Sequence, residues 1–344
     1  MIIKSGRLVL ALALIGLTLC ATAYFFWYST PTGHDPQVNG GQVDDSADWK
    51  EPITPIPLEL KLDKRKVALG RRLFHDPRLS RDDTISCAHC HNLANGGMDN
   101  LPHSTGISGK QTKVNTLTVF NSGFNFRLFW DGRAATLEDQ IDFPMNNPCE
   151  MGSSWYEVIG KLNKDAEYRR DFKAIYPGGI QSGTVKDAIA TFERSLITPN
   201  SKFDRFLRGD KQALDKDELA GYELFKSLGC ISCHQGMNVG GNMYEKLGIV
   251  GNYFADRGNI SEVDFGRYNI TKNDEHRYDF RVPSLRNVAM TAPYFHDASA
   301  DSLEKAVATM GKYQLGVDLS GEEITMIVKF LNTLTGIYRG EAGA

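Results

Sequence analysis

The sequence has no basic excess. Its 39 Lys and Arg residues stand against 42 Asp and Glu, a net charge of −3 over 344 residues, so the class of nucleic-acid-binding chains has no support. With six cysteines it has too few for a disulfide scaffold. It also lacks the composition of a multi-span membrane, collagenous or mainly disordered chain: 41% of its residues are apolar and 24% charged, ordinary globular values. The length allows two domains, each large enough to bury a core.

One long uncharged run is present, Leu8 to Tyr28, preceded by Lys4 and Arg7. About 20 apolar residues span a bilayer as a helix. Ala21-Thr22-Ala23 has the form of a signal cleavage site, but Tyr24-Phe25-Phe26-Trp27-Tyr28 keeps the segment apolar beyond it. Residues 1–28 therefore read as an uncleaved anchor in preference to a cleaved signal. Leu17-Thr18-Leu19-Cys20 is a poor lipoprotein box, because Leu19 is bulky where a small residue is needed. The positive-inside rule sends the rest of the chain outward, which in a bacterium means the periplasm. Residues 29–57 read as a flexible tether, broken by Pro31, Pro36, Pro52, Pro55 and Pro57 and solvated by Asp44, Asp45, Asp48 and Glu51.

Four of the cysteines form a repeat. Cys87-Ala88-His89-Cys90-His91 and Cys230-Ile231-Ser232-Cys233-His234 are both C-x-x-C-H, the pattern of c-type haem attachment. Two thiols three positions apart suit thioether bonds to the two vinyl groups of one haem, and the following histidine projects an imidazole at the iron. A redox dithiol and half a zinc site are the alternatives. Two copies, each with His directly after, in an exported chain favour haem, and a zinc ribbon places its pairs about 15–20 residues apart.

The surroundings repeat too. Leu62 to Leu73 and Asp215 to Leu228 have helical apolar spacing and each precedes a haem motif, with Asp215 as N-cap. Ser320-Gly321-Glu322-Glu323 is a capping box opening a helix with Ile324, Ile327, Val328, Leu331 and Leu334 on its apolar face, stopping at Gly336. The expected fold is mostly α, with two cytochrome-c-like haem domains in tandem: 58–199 and 200–338, followed by a tail at 339–344.

The sixth ligands separate electron carrier from enzyme. Met310, on a short helix from Leu303, is the candidate at the second haem, where a thioether raises the potential; core packing is its alternative role. The first haem has no equally clear ligand: Met98, Met145, Met151 and His103 are candidates. Glu150 lies in Pro144 to Gly152, a stretch without helical pattern, and on composition alone reads as a solvated surface acid.

Further motifs resemble a known family. Leu69-Gly70-Arg71-Arg72-Leu73-Phe74-His75-Asp76-Pro77-Arg78-Leu79-Ser80, Phe129-Trp130-Asp131-Gly132-Arg133-Ala134, Pro283-Ser284-Leu285-Arg286-Asn287 and Pro293-Tyr294-Phe295-His296, in that order around the two haem motifs, are similar to those of bacterial diheme cytochrome c peroxidases. The resemblance covers roughly residues 58–338. It implies two covalent haems c: a peroxidatic one on Cys87, Cys90 and His91, and a high-potential one on Cys230, Cys233 and His234 with Met310. It implies that Trp130 lies between the haems, that Glu150 is the distal acid–base residue and that Gln140 shares its pocket. It implies a calcium ion held by Asn115, Thr291 and Pro293, the last two through backbone carbonyls. Substrate and partners would be hydrogen peroxide, a small cytochrome c or cupredoxin as electron donor, and a second copy in a homodimer. The alternative role for Trp130 is a core tryptophan with its N–H satisfied.

One position departs from the family. Where many relatives have a histidine that caps the peroxidatic iron in the resting enzyme, this chain has Ile107, which cannot ligate. His103, four positions earlier, substitutes only if the loop is redrawn, so the expectation is an open first iron that needs no reductive activation. Cys149 reads as a small buried residue, with oxidation beside the pocket as the alternative. His75, His276 and His296 read as structural. Two other functions compete: a two-haem electron-transfer protein without substrate, and a diheme enzyme that modifies tryptophans of a partner protein. The latter has a tyrosine where this chain offers Met310.

Overall fold

The structure is a computed structural model, and residues 51–340 are described. The anchor expected at 1–28 and most of the tether lie outside them. Among the described residues no helix is long and apolar enough to cross a membrane.

The chain is mostly helical with one small sheet. The first half carries α1 (Lys64–Phe74), α2 (Cys87–Cys90), α3 (Leu137–Asn146), α4 (Trp155–Leu162), α5 (Ala166–Ile175) and α6 (Ser182–Ser195). The second carries α7 (Lys202–Leu207), α8 (Lys216–Ser227), α9 (Tyr253–Arg257), α10 (Tyr268–Thr271), α11 (Leu303–Met310) and α12 (Gly321–Asn332). Strands β1 (Tyr244–Lys246) and β2 (Asp279–Arg281) pair antiparallel, with Glu245 opposite Phe280.

Local capping sets the helices that bracket each haem motif. The Asp63 side chain accepts from Arg65 N at the start of α1. Asp215 accepts from the amides of Asp217 and Glu218 at the start of α8, and Ser320 with Glu323 forms the expected capping box at α12. In each half the helix before the haem motif crosses the closing helix through a glycine. A Cβ on Gly70 would stand 1.9 Å from Ala188 O in α6, and one on Gly221 would stand 1.9 Å from Met326 O in α12. Neither site has room for a methyl group. Gly221→Ala is expected to force α8 and α12 apart and lower stability by about 1–3 kcal/mol, read as a reduced denaturation midpoint with both haems attached.

Two cores follow from these crossings. Phe74, Phe172, Phe192 and Leu73 lie in the first, against which Cys87 and Ala88 pack. Phe203, Tyr222, Phe225 and Phe330 lie in the second, against which Cys230 and Ile231 pack. Ring centroids of Phe203 and Tyr222 are 4.7 Å apart in an edge arrangement.

Three local expectations are corrected. The flexible tether does not continue to residue 57: Ile53 and Ile56 are fully buried, Ile56 N donates to Asp204 Oδ1 at 3.2 Å, and Arg286 Nη2 donates to Thr54 O at 2.9 Å. The alternation of proline with isoleucine there is a packed extended segment. The closing helix ends at Asn332 and does not run to Gly336. Gly336 serves a close approach, since a Cβ on it would lie 1.8 Å from Thr198 O. Helix α3 runs through Pro144 to Asn146, into the stretch expected to be irregular.

Candidate active site

The two C-x-x-C-H motifs open into two cavities. The first, of about 390 Å³, is lined by Cys87, Cys90 and His91 together with Gln140, Cys149, Glu150 and Trp130. The second, of about 230 Å³, is lined by Cys230, Cys233, His234 and Met310, and also by Trp130, Asn115, Thr291 and Pro293.

The two histidines are held in the same way. His91 Nδ1 is 3.3 Å from Gly97 O and His234 Nδ1 is 3.2 Å from Val239 O. A backbone carbonyl fixes the proton on Nδ1 and leaves the Nε2 lone pair for a metal. Burial favours the neutral ring in both and takes His234 down to about 4. The neighbouring thiols are pushed up by burial, Cys90 and Cys230 to about 11. A redox dithiol needs a lowered thiol pKa, so the pairs suit covalent attachment better than disulfide exchange.

Met310 ends α11, whose N-cap is Ser302, and the chain continues as a wide π turn over Gly311–Leu315. This brings Met310 to the same cavity as His234. Trp130 lines both cavities. Its Nε1 donates to Asn115 O at 2.9 Å, and its edge faces the His296 ring at a centroid distance of 6.3 Å.

Glu150 is partly buried in the first cavity's wall. Its Oε1 accepts from Asn147 Nδ2 at 2.7 Å. Burial raises its pKa, opposed by the Asn147 hydrogen bond and the charge of Arg133. It is therefore a shielded carboxyl beside a cavity, not the solvated surface acid that composition alone suggests. The loop after the first motif presses on this segment. Ile107 N donates to Glu150 O at 2.9 Å, and a Cβ on Gly106 would lie 2.1 Å from Cys149 O and 2.6 Å from Glu150 Cα. Gly106→Ala is expected to displace the Glu150 backbone and lower stability by about 1–3 kcal/mol, read as a reduced denaturation midpoint, while the haem absorbance per protein stays unchanged.

The other candidates sort by position. Met145 and Met151 line the first cavity, whereas Met98 lines the second. His103 is absent from the lining of the first cavity, and its Nδ1 is buried without a hydrogen-bond partner among the described residues. Ile107 is buried and points its Cδ1 at Gly152. The Asn115 side chain donates to Leu101 O at 2.9 Å. Asn100 Nδ2 holds the carbonyls of Met290 and Ala292 at 2.9 and 3.1 Å. The alternate carbonyls, of Thr291 and Pro293, accept no hydrogen bond among the described residues, a donor set that fits a hard cation. His296 is structural: its Nε2 is 2.7 Å from Asp264 Oδ1. Arg257 pairs with both Asp264 and Asp297 and offsets one of their two negative charges.

One residue escaped the sequence reading. Arg281 is 2% exposed, lines both cavities and has no carboxylate partner among the described residues. Its Nε donates to Phe129 O at 3.1 Å, and burial brings it down to about 10. A buried guanidinium without a counter-ion is costly. Its place between two cavities fits the carboxylates of the haems they would hold. Arg281 stands two positions before Pro283, but nothing in sequence tells a buried arginine from an exposed one.

Paired attachment motifs, fixed imidazoles and a buried cation shared by two cavities in a mostly helical chain describe a two-haem c-type cytochrome. Comparison with known proteins takes this further. Residues 64–212 match the family described as di-haem cytochrome c peroxidase. The chain is 49% identical over 289 residues to cytochrome c peroxidase Ccp of Escherichia coli K12, covering 84% of this chain and 62% of that protein. It is 44% identical over 288 residues to the cytochrome c551 peroxidase of Nitrosomonas europaea, covering 83% and 84%. A solved MauG-like protein associated with microbial copper homeostasis superposes with a TM-score of 0.72 at 29% identity, over 86% of this chain and 96% of that one. The chain belongs to the di-haem cytochrome c peroxidase family, with two haems c as its cofactors, and spans 62% of the length of the E. coli relative.

Proposed function

We propose that this protein reduces hydrogen peroxide to water with electrons from a small periplasmic cytochrome c or cupredoxin. The observation that carries the reading is the asymmetry of the two cavities. The second offers His234 and Met310, two side chains that would ligate a haem iron and suit it to electron transfer. The first offers His91 with a shielded carboxylate, Glu150, and Gln140 beside it. The family relatives named as peroxidases support the same reading.

The haem iron, when bound, supplies the site where peroxide is held and its O–O bond is broken. The side chains manage the protons. Glu150 accepts the proton of the inner peroxide oxygen and returns it to the outer one, which leaves as water. A positioned acid–base group contributes about 10²–10⁴-fold. Asn147 holds Glu150 in place through Oε1, and Gln140 orients peroxide by hydrogen bonding. Cys87 and Cys90 would hold the first haem, Cys230 and Cys233 the second, and Arg281 would supply one positive charge to the carboxylates between them. Trp130 offers an aromatic path between them. Calcium at Asn115, Thr291 and Pro293 would brace the segment that carries Trp130's acceptor carbonyl.

The first iron would be open at rest, since Ile107 cannot ligate and His103 is absent from the cavity lining. The working protein is a periplasmic homodimer tethered to the inner membrane by residues 1–28. Steady-state oxidation of reduced cytochrome c by peroxide tests the function: turnover dependent on both substrates is expected, and its absence in the di-haem protein would leave an electron-transfer role.

The raised Glu150 pKa has a defined pH consequence. Its base form is lost as pH falls through a pKa above the ordinary value of about 4.3. The acid limb of the kcat/KM profile should therefore lie above that value and vanish in Glu150→Gln.

A further inference from the structure

Two buried polar atoms in the wall of the first cavity have no hydrogen-bond partner among the described residues: Glu193 Oε2 and Ser122 Oγ. Both residues line that cavity with Cys87, and they are 6% and 7% exposed. They sit on facing elements. Glu193 lies in the last turn of α6, and Ser122 opens the short 3-10 turn Ser122–Phe124. That turn abuts α6, with the Cβ position of Gly123 3.4 Å from Arg194 Cγ. An unsatisfied buried carboxyl is expensive, and nothing in the peroxide chemistry above uses this one.

The charges around Glu193 leave it without a counter-ion. Arg194 turns away to Glu138, its Nη2 lying 2.8 and 2.9 Å from the two carboxylate oxygens. Helix α1, packed on α6, presents Lys66 and His75. Lys66 is taken by Asp187 at 2.7 Å, and the His75 ring faces Phe192. From α2 the neighbour is Cys87, whose thiol is raised partly by Glu193. Burial, with Glu138 adding to it and Arg194 opposing it, pushes Glu193 up to about 8. A unit charge about 10 Å away through an effective dielectric of about 20 moves a carboxyl by on the order of one pKa unit.

We propose that Glu193 is a proton-binding site coupled to the charge of the first haem. Glu193 takes up a proton from solvent when that haem gains an electron and releases it into the cavity when the electron is lost. The use of this proton rests on the peroxidase reading. One peroxide becomes two waters by consuming two electrons and two protons. The proton leaving Glu193 is one of the two, and it is replaced from solvent as the donor replaces the electron.

The test needs no peroxide. Redox titrations of the di-haem protein from about pH 6 to about pH 9 should show the first haem's midpoint falling as pH rises. The slope should be lost in Glu193→Gln and retained in Glu193→Asp, with the second haem's behaviour unchanged. Redox-difference infrared spectra should show a protonated-carboxyl band that changes with the first haem's oxidation state, disappears in Glu193→Gln and shifts in Glu193→Asp. The infrared arm on wild type and Glu193→Asp stands if Glu193→Gln fails to attach haem. A pH-independent midpoint in wild type, or an equal slope and band in Glu193→Gln, would overturn the proposal. A slope present in a protein that shows no peroxide turnover would uphold it and sink the peroxidase reading instead.

Discussion

Glu150→Gln is expected to lower kcat for peroxide by about 10²–10⁴-fold, a barrier increase of roughly 3–5 kcal/mol, with both haems attached. Glutamine keeps the size of the side chain and its hydrogen bond with Asn147, which the structure places at 2.7 Å. It cannot accept a proton from one peroxide oxygen and return it to the other. The loss should therefore fall on kcat and kcat/KM together, as for an interaction made only in the transition state. Stopped-flow turnover with a reduced small cytochrome measures it. Turnover within about threefold of wild type would remove Glu150 from the mechanism.

The second large effect is at the other haem. Met310→His should leave that haem six-coordinate but lower its potential by on the order of a few tenths of a volt, within the span of about 0.8 V that axial ligands command. The reason is electronic: a thioether favours the reduced iron more than an imidazole does. The position supports the exchange, because Met310 ends α11 at the wall that also carries His234. Spectroelectrochemical titration reads the shift directly. Electron supply to the first haem should slow as the driving force from the donor falls. An unaltered potential would make Met310 a packing residue.

The parts of this picture that sequence reveals are those written in short segments. The two C-x-x-C-H motifs, the Asp215 cap and the Ser320–Glu323 box involve residues within a few positions of one another, and the structure places them as their spacing implies. What sequence hides is produced by distant contacts. Glu150 reads as a surface acid until Gly106, 44 positions earlier (150 minus 106), brings the loop backbone onto Cys149. Arg281 and Glu193 look like ordinary charged residues, and only the packing of two halves around two cavities strips them of counter-ions. The proline-rich run before residue 58 resembles a linker because its two anchors, Ile53 and Ile56, are few. Their burial comes from Asp204 and Arg286, about 150 and 230 residues away. Gly336 looks like a helix stop, yet its backbone is needed bare against Thr198.

The account turns on a first iron that is open at rest beside Glu150, because Ile107 cannot ligate and His103 lies outside the cavity. The most direct test is peroxide addition to the as-isolated ferric protein and to the half-reduced form, followed by optical and EPR spectroscopy. The account predicts a high-spin component from the first haem before peroxide is added, and a reaction in the ferric form without prior reduction. A resting spectrum that is entirely six-coordinate and low-spin, with reactivity appearing only after half-reduction, would contradict it.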